Sequence, residues 1–172
     1  MAQLAQCLPL EGPEEILAFA KEKAIDLTVV GPEAYLAEGI GDAFAKAGLA
    51  LFGPNRQAAQ LESSKSFAKD LCQKYGIPTA DFVVVDNYEA AVEAVDKFSL
   101  PPVVKADGLA AGKGVYVSKT HQEAKEALFE IFQGGRFGKA GSRVVLEEFM
   151  PGEEATIMAF TDGKTVLPMV PA

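Results

Sequence analysis

An α/β fold in two unlike parts is what this 172-residue sequence predicts: a partial parallel α/β domain, then a compact α+β unit. Three observations predict it. Two short apolar runs, Leu27-Thr28-Val29-Val30 and Leu49-Ala50-Leu51-Phe52, each stop at Gly-Pro and enclose one amphipathic stretch. That strand–helix–strand rhythm is the signature of a parallel sheet. Beyond Ile77-Pro78 the pattern changes, with helices still present but two strand-like runs, 103–104 and 115–117, joined directly by a glycine loop. Near the end, Asp162-Gly163 separates two strand-like runs at 155–160 and 165–170, a strong hairpin signal.

The elements follow in order. Pro13 with Glu14 and Glu15 opens a helix that carries Ile16, Leu17 and Ala20 on one face. Leu36, Ile40, Phe44 and Ala47 recur at helical spacing and predict one helix, stopped by Gly48. Ser63-Ser64 begins a helix over 65–75, with Phe67, Leu71 and Cys72 inward and Gly76 as its stop. Phe82-Val83-Val84-Val85 is a strand, and Val92, Val95 and Phe98 mark a helix. Thr120-His121-Gln122-Glu123 reads as a capping box before an amphipathic helix of Ala124, Leu128, Ile131 and Phe132, with His121 expected exposed in its first turn. A loop at Gly134-Gly135 and Gly138 leads to a strand at 143–147. The predicted divisions are 1–62, a partial N-terminal α/β domain; 63–80, a connecting helix and linker; 81–150, the α+β unit; and 151–172, the first strands of a further domain.

Composition narrows the classes of function. The chain is 23% charged and 49% hydrophobic, the balance of a globular protein with a real core rather than a disordered one. Its formal net charge of -8 argues against binding nucleic acid through backbone phosphates, and no long apolar span predicts a membrane partner. Cys7 and Cys72 lie far apart with no metal-ligand spacing, which suits a reducing cytoplasm. One histidine cannot build a His-rich metal site.

Against that acidic background stands the loop of residues 102–115. Six of the nine residues 106–114 are Gly or Ala, and Lys105 and Lys113 stand near its ends. Small residues let backbone N–H groups approach a ligand closely, and successive N–H groups make an anion-binding concavity. Phosphate is the leading candidate, with Gly108, Gly112 and Gly114 as the backbone positions; a plain flexible hairpin is the alternative. The spacing is neither a P-loop nor a dinucleotide fingerprint, because three residues separate Gly108 from Gly112 and Gly114 follows Lys113.

A second constellation follows. The run from Val144 through Glu147-Glu148-Phe149-Met150 to Pro151-Gly152-Glu153-Glu154 takes a buried strand into paired acids, a turn and another acid pair. Alone, the acids could be a solvated edge. With a lysine-bearing glycine loop upstream they complete a nucleotide site, the backbone of 148–150 reading an adenine edge and an acid holding ribose. Gly31-Pro32-Glu33 falls where a strand gives way to a helix, a usual position for ligand contacts, although an ordinary turn looks the same.

On these residues the chain resembles the ATP-grasp ligases and, more narrowly, the phosphoribosylamine–glycine ligase (glycinamide ribonucleotide synthetase) family. The likeness is carried by Val30-Gly31-Pro32-Glu33-Ala34, Phe52-Gly53-Pro54, residues 59–65, Gly76-Ile77-Pro78-Thr79-Ala80, residues 104–115, and Glu147-Glu148-Phe149 with Gly152-Glu153-Glu154. It implies that 81–150 is an ATP-grasp lid and that 151–172 begins the central ATP-grasp domain. It also implies that Lys65 and Lys105 contact nucleotide phosphates, that the loop with Lys113 folds over the β- and γ-phosphates, and that Glu147 with Glu148, Phe149 and Met150 forms the adenine hinge. Glu154 would hold the ribose, and Gly31, Pro32 and Glu33 would face phosphoribosylamine.

The implied reaction joins glycine to 5-phosphoribosylamine through glycyl phosphate, with ATP and magnesium or manganese, in purine biosynthesis. Tyr35 departs from the family's pattern, which has proline there. The resemblance further implies an internal piece of a longer enzyme, inactive alone: the family's glycine-rich N-terminal strand–loop, its metal-binding Glu and Asn and its C-terminal domain are expected outside these residues. The alternatives are another ATP-grasp ligase or carboxylase or, for the isolated chain, a nucleotide-binding module without catalysis. Catalytic residues and oligomeric state are not readable from the sequence.

Overall fold

The computed structural model describes residues 4–110 and 113–171. Its first part holds a two-stranded parallel sheet, β1 (Thr28–Val29) beside β2 (Leu51–Phe52), in the arrangement the Gly-Pro-terminated runs predict. Helix α1 (Gly12–Glu22) carries proline at its start and packs Ile16, Leu17 and Ala20 toward the buried pair Ile40 and Phe44. The single helix expected between the strands is two, α2 (Glu33–Glu38) and α3 (Ile40–Lys46). Gly39 divides them with φ 99°, a left-handed conformation that ends one helix and caps the next. The apolar spacing survives the break because Leu36 and Ile40 still face one cluster.

Helix α4 (Gln60–Ser63) leads into α5 (Lys65–Tyr75). Ser64 caps α5 by accepting the Phe67 N–H at 3.2 Å, and Gly76 ends it at φ 63°.

The second part is one antiparallel sheet with helices on one face. Its strands are β3 (Phe82–Val85), β4 (Val103–Ala106), β5 (Val115–Val117) and β6 (Val144–Glu147), in the spatial order β3-β6-β4-β5. Helices α6 (Tyr88–Val95) and α7 (His121–Phe132) cover one face. Val85, Val104, Ala106, Val144 and Leu146 meet Ala91, Val95, Ala124, Leu128 and Ile131 there in a closed core. A short 3₁₀ turn, η1 (Gly138–Ser142), precedes β6.

Thr120 caps α7 by accepting the Glu123 N–H, while Glu123 reaches the Lys119 N–H rather than closing the box on Thr120. His121 is half-buried, not exposed: its Nε2 lies 3.0 Å from the Phe98 carbonyl, tying α7 to the end of the α6 segment.

The last strands, β7 (Ala159–Thr161) and β8 (Val166–Pro168), form the hairpin expected around Asp162-Gly163. Asp162 Oδ1 accepts the N–H groups of Lys164 and Thr165, which fixes the turn. Among the described residues no helix is long and apolar enough to cross a membrane.

Candidate functional site

Strand alternation and register decide which side chains leave the core. Val104 and Ala106 of β4 point into the core beneath α6 and α7, so Val103 and Lys105 take the opposite face. On β6 the same rule sends Val145 and Glu147 to that face. Lys105 pairs with Val145, which puts Glu147 on the neighbouring diagonal, within reach of a long side chain. The contact is made: Lys105 Nζ donates to Glu147 Oε2 at 2.8 Å.

Helix α5 contacts β6 and brings two more lysines, one turn apart. Lys69 Nζ lies 3.1 Å from the same Glu147 oxygen and also donates to Thr79 Oγ1 at 2.6 Å. Lys65 Nζ reaches back to the Gly108 carbonyl at 3.3 Å, at the root of the glycine loop. Burial is the main influence on Lys65 and holds its ammonium below the ordinary lysine range. Asp107 opposes that shift and Lys105 adds to it, while Glu62 and Glu147 act on the side of Asp107.

These groups surround one cleft of about 470 Å³. Lys65, Lys69, Lys105, Glu147 and Glu33 line it together with apolar groups such as Leu109 and Val115. Three cations gathered in one concavity of so acidic a chain make a place for an anion, and the apolar groups make a place for something flat or greasy beside it.

The structure therefore brings Lys65, Lys105, Glu147 and Glu33 together. The remaining expected residues stand differently. Gly31 and Pro32 are exposed and are not among the cleft's lining, and Lys113 is exposed outside it. Gly112 lies outside the described residues.

Gly108 and Gly114 are glycines for packing as much as for approach. A Cβ on Gly108 would stand 2.8 Å from the Ala140 Cβ, and one on Gly114 would stand 2.7 Å from the Ala110 Cβ. Two loop amides are already used, Gly108 N–H by Ala140 O and Lys113 N–H by Ala110 O. The Glu148 N–H is likewise used, by Asp81 O at 2.8 Å, so it is not free to meet a base. The Glu148 side chain lines a different hollow, with Asp81 and Phe98. Phe149, Met150 and Glu154 are exposed beyond the end of β6.

Sequence reasoning missed two residues of this site. Lys69 reads as one more lysine on an amphipathic helix, and only its four-residue spacing from Lys65 marks it. Asp107 hides inside the glycine run, although it is the sole acid between two lysines there.

Comparison with known proteins identifies a family for the chain. The family model for the phosphoribosylglycinamide synthetase N domain matches residues 1–62, and that for the phosphoribosylglycinamide synthetase ATP-grasp (A) domain matches 63–172. A phosphoribosylamine–glycine ligase of Vibrio vulnificus is 54% identical over 154 residues, 90% of this chain and 36% of that protein. The enzyme of the same name from Halalkalibacterium halodurans is 47% identical over 174 residues, all of this chain and 41% of its own length. Among solved structures, the phosphoribosylamine–glycine ligase of Thermotoga maritima superposes with a TM-score of 0.80 at 32% identity, covering 99% of this chain and 40% of that one. The chain thus spans well under half the length of the relatives it matches. Both domain models fall on it end to end, and the chain belongs to the phosphoribosylglycinamide synthetase family, in its N and ATP-grasp (A) domains.

Proposed function

We propose that the cleft is the phosphate end of an ATP site and that the full-length protein is an ATP-dependent carbon–nitrogen ligase. It joins glycine to 5-phosphoribosylamine and gives glycinamide ribonucleotide, ADP and phosphate, in the cytoplasm. One observation carries the reading: Lys65 of α5, Lys105 of β4 and Glu147 of β6 converge on a single cleft at the root of the glycine loop. The names of the relatives supply the substrates.

In the first step a carboxylate oxygen of glycine attacks the γ-phosphorus and the bond to ADP breaks. In the second, the amine nitrogen of phosphoribosylamine attacks the carbonyl carbon of glycyl phosphate, phosphate leaves, and the nitrogen loses a proton. The chain's part is placement and charge. Lys65 and Lys105 meet phosphate oxygens. Lys105 can leave Glu147 for a phosphate because Lys69 stays behind to neutralise that carboxylate. Glu33, across the same cleft, faces the amine substrate. The exposed 148–150 segment borders the base and Glu154 the ribose. Lys113, Gly112 and Gly114 belong to the part of the loop that closes on the β- and γ-phosphates. The divisions follow the same reading, with 81–150 as the lid, 63–80 as its connector and 151–172 as the start of the central domain.

Magnesium, or manganese in its place, would arrive with the nucleotide. Among the described residues no group of three His, Cys, Asp or Glu side chains is placed to hold a metal ion.

The test is calorimetric titration of ATP into the chain, with Lys105→Ala alongside, and turnover of the full-length ligase. Lys105→Ala is expected to weaken ATP binding and to lower kcat/KM for ATP by about a hundredfold or more. Wild-type affinity in that variant would refute the site. Turnover with bicarbonate or D-alanine in place of glycine would refute the substrate.

A further inference from the structure

One acid joins the start of α5 to the root of the glycine loop. Asp107 directly follows β4, and its carboxylate accepts the Ser66 N–H at 2.7 Å on one oxygen and the Ser66 hydroxyl at 2.8 Å on the other. The Ser64 hydroxyl lies 3.2 Å from the first of these oxygens. The backbone repeats the tie: Lys65 N–H donates to Asp107 O at 3.1 Å, and Asp107 N–H donates to Arg143 O at 3.0 Å. Lys65 Nζ then bonds the next carbonyl, that of Gly108. Ser66 is buried, so these bonds are sheltered from water.

Ser64 caps α5 at the Phe67 N–H, and Asp107 caps it at the buried Ser66 N–H, which Ser64 does not reach. What Asp107 adds beyond a cap is a link between segments 41 residues apart. It also fills the positive end of α5 with a carboxylate, so an incoming phosphate is met by lysine side chains rather than by that helix terminus.

We infer that Asp107 is a positioning residue: it clamps the Lys65 end of α5 to the root of the glycine loop, so that lysine and loop meet a phosphate as one unit. The inference rests on the nucleotide reading of the cleft. The charged groups facing Lys65 are Asp107 itself, Lys105 from β4, Glu62 from α4 and Glu147 from β6, with Lys69 of α5 and Glu33 of α2 on the same cleft. Asp107 exerts the strongest pull among the acids that keep Lys65 protonated.

The experiment follows two readouts on the 172-residue chain. ATP is titrated calorimetrically from pH 7 to 10, and the Lys65 ammonium is titrated by carbon-13 NMR of its ε-methylene, assigned with Lys65→Arg. Asp107→Asn is expected to weaken ATP about tenfold at pH 7, the loss of charge-assisted hydrogen bonds. It should also make Lys65 deprotonate at lower pH, so that ATP affinity begins to fall at lower pH than in the wild type. Ser66→Ala, which keeps the charge, should weaken ATP only about threefold and leave the Lys65 titration in place.

Wild-type affinity in Asp107→Asn would overturn the inference. So would an equal loss at every pH with an unmoved Lys65 titration, which is what plain support of the fold predicts. If Asp107→Asn does not fold, Ser66→Ala with unchanged ATP affinity would overturn it. Failure of the wild-type chain to bind ATP would sink the nucleotide reading instead. The Lys65 titration in Asp107→Asn would then still decide whether Asp107 governs that lysine.

Discussion

Glu147→Gln removes a carboxylate on which two lysines converge, and the structure sets the size of the effect. Glu147 is 7% exposed, and Lys105 and Lys69 both touch its Oε2, at 2.8 and 3.1 Å. The two ammonium groups are therefore at most about 6 Å apart, where an effective dielectric of about 20 gives a repulsion of about 3 kcal/mol once the shared anion is gone. Breaking a buried pair costs about 3–5 kcal/mol in general, but the Lys105 side chain is 25% exposed and water screens part of the charge. The expected loss is about 2–3 kcal/mol, a fall in Tm of roughly 5–10 °C for a chain of this size. Thermal unfolding by circular dichroism at low and high salt is the assay. Added salt should stabilise Glu147→Gln relative to the wild type, because it screens a repulsion that the shared carboxylate offsets in the wild type. The double variant Lys69→Met with Glu147→Leu should recover most of the loss, since an apolar pair of similar volume replaces the charges. A fall in Tm below about 2 °C, together with no salt effect, would refute the reasoning.

Other expectations follow from single contacts. Lys65 is held below its ordinary value chiefly by burial, so its charged form costs stability at neutral pH, and that cost fades as pH rises through the depressed value toward 10.5. Lys65→Met should therefore resist urea better than the wild type at pH 7, with the gap narrowing toward pH 10.5, while ATP binding is lost; a gap that widens with pH would contradict this. Gly114→Ala forces its new Cβ to 2.7 Å from the Ala110 Cβ and 3.1 Å from the Ala106 Cβ, with no flexible side chain to yield. It should cost about 1–3 kcal/mol in denaturant and weaken ATP in the same titration. Leu146→Ala empties a fully buried position in the middle of the sheet and should cost about 3–4 kcal/mol in equilibrium unfolding.

Where chemistry and local pattern coincide, the sequence was readable. Lys65, Lys105 and Glu147 stand on motifs, and strand alternation carries the latter two to one face. The parallel pair β1–β2, the strands of the four-stranded sheet and the last hairpin also follow from apolar runs bounded by Gly and Pro. What escaped depends on partners distant in sequence. Lys69 looks like a solvated helix lysine until Glu147 arrives from β6, and Asp107 looks like a loop acid until Ser64 and Ser66 cap onto it. The helix break at Gly39 escaped because apolar periodicity reports which side faces the core, not whether φ stays negative. His121 escaped because nothing local announces the Phe98 carbonyl.

The order β3-β6-β4-β5 places the last-synthesised strand of that sheet between the first two. As the chain leaves the ribosome, Phe82 must therefore wait for Glu147 before its ladder can zip, and β4 can meanwhile pair only with β5. Such long-range closure slows folding and leaves the Val83-Val84-Val85 ribbon without its native neighbour in the nascent polypeptide. A pause in translation shortly before Arg143 would prolong that exposure, and a chaperone acting on this protein should meet it at that length.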